Sequence, residues 1–132
     1  MATATCKFVP SGASPTMGSS VDQDTVVYFG SVTFSAAADT YATGGLLPAT
    51  GFGLINLGPY SDRTPIVFWI ESLNGSGLWY AWNVATGKLK ILAAAGSGTA
   101  GVTEITNGTA LSGVTPNIFT DTVSFEVRFP RR

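Results

Sequence analysis

Gly77-Leu-Trp-Tyr-Ala-Trp-Asn-Val-Ala-Thr-Gly-Lys-Leu-Lys-Ile-Leu92 decides the reading of the fold. Its first half is aromatic and its second half aliphatic. Between them stands Asn83-Val-Ala-Thr-Gly87, a run of residues that favour a turn. The stretch therefore reads as two short β-strands joined into a hairpin. Alternation along the first strand sends Leu78, Tyr80 and Trp82 to one face and Trp79 to the other.

The same grammar extends in both directions. Upstream, Pro65-Ile-Val-Phe-Trp-Ile-Glu71 is a nearly continuous apolar run, which reads as a strand buried on both faces or at a subunit contact. Asn74-Gly75 follows it as a hairpin-turn dipeptide. Val26–Ser35 is β-branched and aromatic, and from Phe29 onward it alternates, with Val32 and Phe34 facing in and Ser31, Thr33 and Ser35 out. Asp39–Gly45 ends in paired glycines, which allow positive φ and a sharp change of direction. Leu46–Leu57 is apolar but broken by Pro48, Gly51 and Gly53, so short strands or a wrapping loop are expected there.

Downstream, Ala93–Gly101 reads as a flexible loop, Val102–Ile105 as a brief pairing and Asn107-Gly108 as another turn. Val123–Phe129 alternates cleanly, with Val123, Phe125, Val127 and Phe129 on one face. No segment sustains helical periodicity over the length a helix needs. Seven or eight short strands between Gly, Asn and Pro turns predict an all-β fold, a small β-sandwich or jelly roll. Residues 1–24 differ: Pro10, Pro15 and the Ser/Gly pairs break regular structure and leave Cys6–Val9 as the one apolar knot. They read as an extended N-terminal arm, anchored by Phe8 and Val9, on a domain of residues 25–132.

Composition bounds the function. Charged residues make up 11% of the 132, against about 25% in an ordinary soluble domain. With a mean hydropathy of +0.28, few residues remain to solvate a large surface. Coverage by neighbours is expected, through self-association or docking on a larger assembly. Net charge is −1 and the seven basic residues are scattered, so there is no basic stripe to displace counterions from nucleic acid. One cysteine excludes an intramolecular disulfide, and one cysteine with no histidine excludes a structural zinc site. No stretch resembles a secretion signal or a membrane span, which points to a soluble, unexported product made in a reducing compartment.

Chemistry is sparse. The absence of histidine removes the commonest proton shuttle and the usual triads. Glu71 and Glu126 are the carboxylates considered as a pair astride a glycosidic bond, although nothing in their spacing proves that they meet and Glu126 belongs to the outward face of its strand. Asp22-Gln-Asp24 begins like a calcium loop but lacks the glycine and closing glutamate of an EF-hand. Gly44-Gly45 and Gly96–Gly101 lack the lysine of a phosphate-binding loop. No catalytic, metal or cofactor residue is expected. Trp69, Trp79, Tyr80 and Trp82 admit two uses, as a sugar-stacking platform or as packing in a core or subunit contact. Packing is favoured. With Phe8 and Val9 they form the candidate interface set.

Four stretches occur in a distinctive order: Gly30-Ser-Val-Thr-Phe-Ser35, Thr40-Tyr-Ala-Thr-Gly-Gly45, the Leu78–Leu92 hairpin and Glu104-Ile-Thr-Asn-Gly-Thr-Ala-Leu-Ser-Gly113. Together, over roughly residues 28–129, they resemble small structural proteins of tailed bacteriophages, and within that group the capsid decoration or cement proteins. The resemblance implies a homotrimer on the outer surface of the virion head, at junctions between major capsid subunits, made in the host cytoplasm. Its work would be to reinforce the shell against the pressure of packaged DNA, without enzymatic activity and without nucleic-acid or membrane partners. Residues 1–24 fall outside the pattern, and the arm would be capsid-docking. The alternative is a receptor- or glycan-binding module of a tail fibre or baseplate, which requires Trp79, Tyr80 or Trp82 to be exposed. A small carbohydrate-active enzyme would instead require a close carboxylate pair in a cleft.

Overall fold

The computed structural model describes residues 2–11, 25–94 and 101–130, which form eight strands and three single turns of 3₁₀ helix. The strands are β1 (Thr5–Pro10), β2 (Thr25–Phe34), β3 (Leu47–Pro48), β4 (Val67–Ser72), β5 (Leu78–Asn83), β6 (Lys88–Ala94), β7 (Val102–Glu104) and β8 (Val123–Pro130). Five of them make one sheet in the order β3-β1-β2-β8-β4, and the other three make a second sheet in the order β5-β6-β7. All pairings are antiparallel except β1 with β3. The protein is an all-β sandwich.

Alternation accounts for the core. Val123, Phe125, Val127 and Phe129 of β8 are buried, as are Val26, Tyr28 and Val32 of β2, and they meet Leu78, Tyr80, Leu89 and Ile91 from the smaller sheet. Phe34 stacks on Tyr80 with ring centroids 6.0 Å apart. Phe8 is the central wedge. Its ring lies 5.4 Å from Phe125 in its own sheet and 5.4 Å from Trp82 in the other, edge-on to each. Burying a side chain of this size contributes roughly 1.5–3 kcal/mol, and edge-to-face packing adds to that.

The hairpin forms as its sequence dictates. The Gly87 N–H donates to the Asn83 carbonyl at 2.8 Å, and the Asn83 side chain accepts from the Ala85 N–H at 2.9 Å. Gly87 has φ +66°, a conformation glycine adopts without strain.

The two sheets are joined differently at their two flanks. At one, Leu46 and Leu89 exchange backbone hydrogen bonds of 2.8 and 2.9 Å. Gly45 makes that approach possible: a Cβ there would lie 2.6 Å from the Leu89 carbonyl oxygen, and its φ is +118°. Beyond it, Thr40 bridges Thr3 on one side and Ala110 on the other. At the opposite flank β4 and β5 are edge strands of different sheets, joined in sequence and not paired with each other.

Four expectations are corrected. Residues 5–10 are not an arm: they form β1, hydrogen-bonded between β2 and β3, because Cys6 and Phe8 alternate inward. The remaining arm positions 12–24 lie outside the described residues. Pro65–Glu71 is not buried on both faces, since β4 ends its sheet and leaves Ile66 and Trp69 exposed. Asn74-Gly75 turns the chain from one sheet to the other and closes no hairpin. Of the stretch expected as a flexible loop from Ala93, Ala93 and Ala94 continue β6, and residues 95–100 lie outside the described part.

Candidate functional site

The alternation that fills the core obliges the other half of each strand to face outward. On the outer face of the larger sheet, register places Phe29, Glu126 and Trp69 in one row across β2, β8 and β4. Ser31, Ser124 and Glu71 form the next row. A trough of about 740 Å³ runs over these rows, bounded on the β1 side by Val9–Ser11. Trp69 stands at its edge, 55% exposed. In the row beyond, Arg128 approaches Glu126 with Nε 3.7 Å from Oε2, both side chains partly exposed. A pair that long and that wet contributes at most about 1 kcal/mol, so it fixes little and leaves the carboxylate available.

Two carboxylates act inside the fold. Asp121, just before β8, accepts hydrogen bonds from the hydroxyls of Ser72, Ser76 (2.9 Å) and Tyr80 (2.8 Å). It thereby ties the end of β4, the following turn and β5 to one point. Burial, and then the hydrogen bond to Asp121, push the Tyr80 hydroxyl far above its ordinary range. Glu104, at the end of β7, accepts from the Tyr41 hydroxyl and the Gly44 N–H, each at 2.7 Å. Burial acts to raise the Glu104 carboxyl, but those two bonds and the charge of Lys90 outweigh it, and the group sits below its ordinary value. Tyr41 is raised by burial and by the same hydrogen bond. Cys6 is fully buried in β1, and burial pushes its thiol up to about 12. The thiolate, the reactive form, is therefore suppressed at neutral pH.

The six candidate interface residues divide. Phe8 is 1% exposed and Tyr80 8%, while Trp82 packs against Phe8 and Phe68. Phe8 and Tyr80 lie in the core and Trp82 packs partly buried against it; this corrects Phe8 as a docking anchor, and for Tyr80 and Trp82 it takes the core side of the core-or-contact alternative and corrects them as interface residues. Val9, Trp69 and Trp79 are exposed, Trp79 at 49%. Glu71 and Glu126, which the sequence did not bring together, are diagonal neighbours on the trough face, on the order of 7 Å apart by sheet geometry. Glu71 is exposed to solvent, so the enclosed setting in which enzymes keep a general acid is not built around it.

The roles of Asp121 and Glu104 were invisible in sequence because their partners lie 41–63 positions away. The exception is Gly44-Gly45, whose paired glycines marked the turn that Glu104 caps. Among the described residues no group of three or more His, Cys, Asp or Glu is placed to hold a metal ion, and Asp22-Gln-Asp24 lies outside them. No helix among the described residues is long and apolar enough to cross a membrane. No protein-family model, no curated protein and no solved structure matches this chain.

Proposed function

We propose that this chain is a structural virion protein that decorates and stabilises a tailed-phage capsid, binding the outer surface at junctions between major capsid subunits as a homotrimer. The supporting observation is the open flank. Ile66, Trp69 and Leu73, on and beside edge strand β4, and Trp79, on edge strand β5, are all exposed in the isolated chain. Edge strands with large apolar side chains invite association unless something covers them. A chain only 11% charged offers little else to keep that flank solvated.

A second support is spatial. The Thr40–Gly45 and Glu104–Gly113 stretches, far apart in sequence, meet through the bonds of Tyr41 to Glu104 and of the Tyr41 N–H to the Thr109 carbonyl at 2.8 Å. Two of the four stretches that carry the resemblance thus meet in space. Such a protein acts through many simultaneous contacts, and in a symmetric ring each further contact becomes effectively intramolecular. No catalytic step belongs to this reading.

Electron microscopy of particles produced with and without the chain tests it. The expected result is trimeric density on the outside of the head, and particles lacking the chain that assemble but rupture at lower temperature. Density confined to tails, or heads equally robust without the chain, would refute the proposal.

A further inference from the structure

We propose that the outer face of the larger sheet and the outer face of the smaller sheet are the two halves of one contact between copies of this chain. The trough around Glu71 and Glu126 in one copy receives Lys88, Lys90 and Trp79 of the next, and the contact repeats around the ring of a homotrimer. This rests on the reading that neighbours cover the open flank; it names the neighbour as a second copy and identifies the two surfaces that meet.

Charge selects the occupant. Glu71 and Glu126 are the charged residues that line the trough, so it presents an acidic surface. Glu71 makes no hydrogen bond or ion pair among the described residues. Arg128 stands outside the lining, and its long, exposed contact of 3.7 Å leaves Glu126 able to take a second cation. Of the other described cations, Lys7 lies over the ring of Phe52 and Arg63 over that of Tyr60. Lys88 and Lys90 of β6 remain. Leu89 and Ile91 on the same strand are buried, so alternation turns both lysines to the outer face of the smaller sheet. The charge of Lys90 already acts on Glu104, whereas Lys88 forms no ion pair among the described residues.

Spacing agrees with charge. Two positions apart on one strand, Lys88 and Lys90 are separated by about 7 Å, and the two glutamates lie on the order of 7 Å apart across their ladder. A tryptophan stands beside each charged pair. Trp69 is opposite Glu126, and Trp79 is the diagonal neighbour of Lys90, whose direct partner on β5 is the small Ala81. The two indoles, 55% and 49% exposed, are covered together in the contact, the kind of side chain that protein interfaces favour. Both border one flank, where β4 and β5 are the adjoining edges of the two sheets. A copy that lays its Trp79 side on the Trp69 side of the next is turned about an axis beside that flank. The head-to-tail contact therefore closes into a ring and covers both edge strands.

Analytical ultracentrifugation of the full chain over a dilution series tests this without particles. The expected result is a reversible trimer that weakens as salt rises. Glu71→Lys and Lys88→Glu should each weaken association about tenfold or more. One chain carrying both substitutions should recover it, because the exchanged charges attract again. Thermal melting of each variant separates a lost contact from a lost fold. If either single variant unfolds, the salt series and Trp79→Ala, which should also weaken assembly, decide. A monomer at every concentration would overturn the proposal, as would a dimer that goes no further or a trimer indifferent to both reversals. Disruption by Glu71→Lys but not by Lys88→Glu would give the trough a different partner and overturn it too. The capsid reading fails separately: a ring that forms in solution but is absent from heads refutes that reading and leaves this contact standing.

Discussion

The two flanks of the sandwich are closed by different forces. At the flank of Leu46 and Leu89 the backbone itself makes the closure, with reciprocal hydrogen bonds and the Thr3–Thr40–Ala110 bridges, and the side-chain bond of Tyr41 to Glu104 only adds to it. At the flank of β4 and β5 no ladder among the described residues spans the sheets, and side-chain hydroxyls gathered on Asp121 hold the strand ends instead. Backbone closure depends little on which residues supply it, apart from a glycine where chains touch. Side-chain closure depends on one carboxylate. The second flank is also the one with Trp69 and Trp79 on its rims, so the surface available to partners coincides with the more weakly joined side of the fold.

Substitutions can break this contrast. The largest effect is expected from Leu89→Ala, which empties a fully buried position beside the laced flank and should cost about 2–5 kcal/mol through lost burial and a residual cavity, read as a lower urea midpoint. Asp121→Ala should cost about 2–3 kcal/mol, because it leaves the mostly buried Tyr80 hydroxyl without its acceptor. Its signature is local: amide exchange should quicken in β4 and β5 while the amides of Leu46 and Leu89 keep their protection. Uniform acceleration across both flanks would remove the distinction.

A smaller effect, on the order of 1 kcal/mol, is expected from Glu104→Gln, which weakens charge-assisted bonds at the laced flank without opening it. The same group gives a pH dependence. Its carboxyl is held below the ordinary value of 4.5 in the folded chain, so its stabilisation is complete above that pH and is lost as pH falls through the lower folded value. The variant should therefore show a shallower acid limb in a stability-versus-pH titration. Tyr41 and Tyr80 act at the other end. They are raised above 10 when folded, so their stabilisation is full below pH 10 and is lost as pH rises beyond it. Trp69→Ala should change stability least, within about 0.5 kcal/mol, since the side chain packs on the solvent face. A much larger loss would mean that Trp69 holds β4 in place and does not wait for a partner.

The fold was legible wherever a strand has one wet face. The single apolar face of β8 follows from period-two alternation alone. Alternation also puts Leu78, Tyr80 and Trp82 on one face of β5 and Trp79 on the other, but which of the two faces is inward is fixed only by the sheet packed against Leu78 and Tyr80. The misreadings share a physical origin. Pro65–Glu71 reads as buried on both faces or at a subunit contact, and the first alternative failed because an edge strand and a central strand can carry the same apolar run. Thr5–Pro10 looked like an arm because the prolines after it announce a break without saying that the segment before it is paired. The trough was hidden for a third reason. Glu71 and Glu126 meet across a ladder between strands more than 50 positions apart, and no local pattern encodes that register.

The most direct test of the central claim, that the open flank is covered by neighbours on a particle, is cryo-electron microscopy of virions encoding this chain at a resolution that traces β4 and β5. The account predicts three copies clustered on the outer head surface with Trp69 or Trp79 buried against another copy or against the major capsid protein. A chain absent from heads, or present with both tryptophans facing solvent, would contradict it.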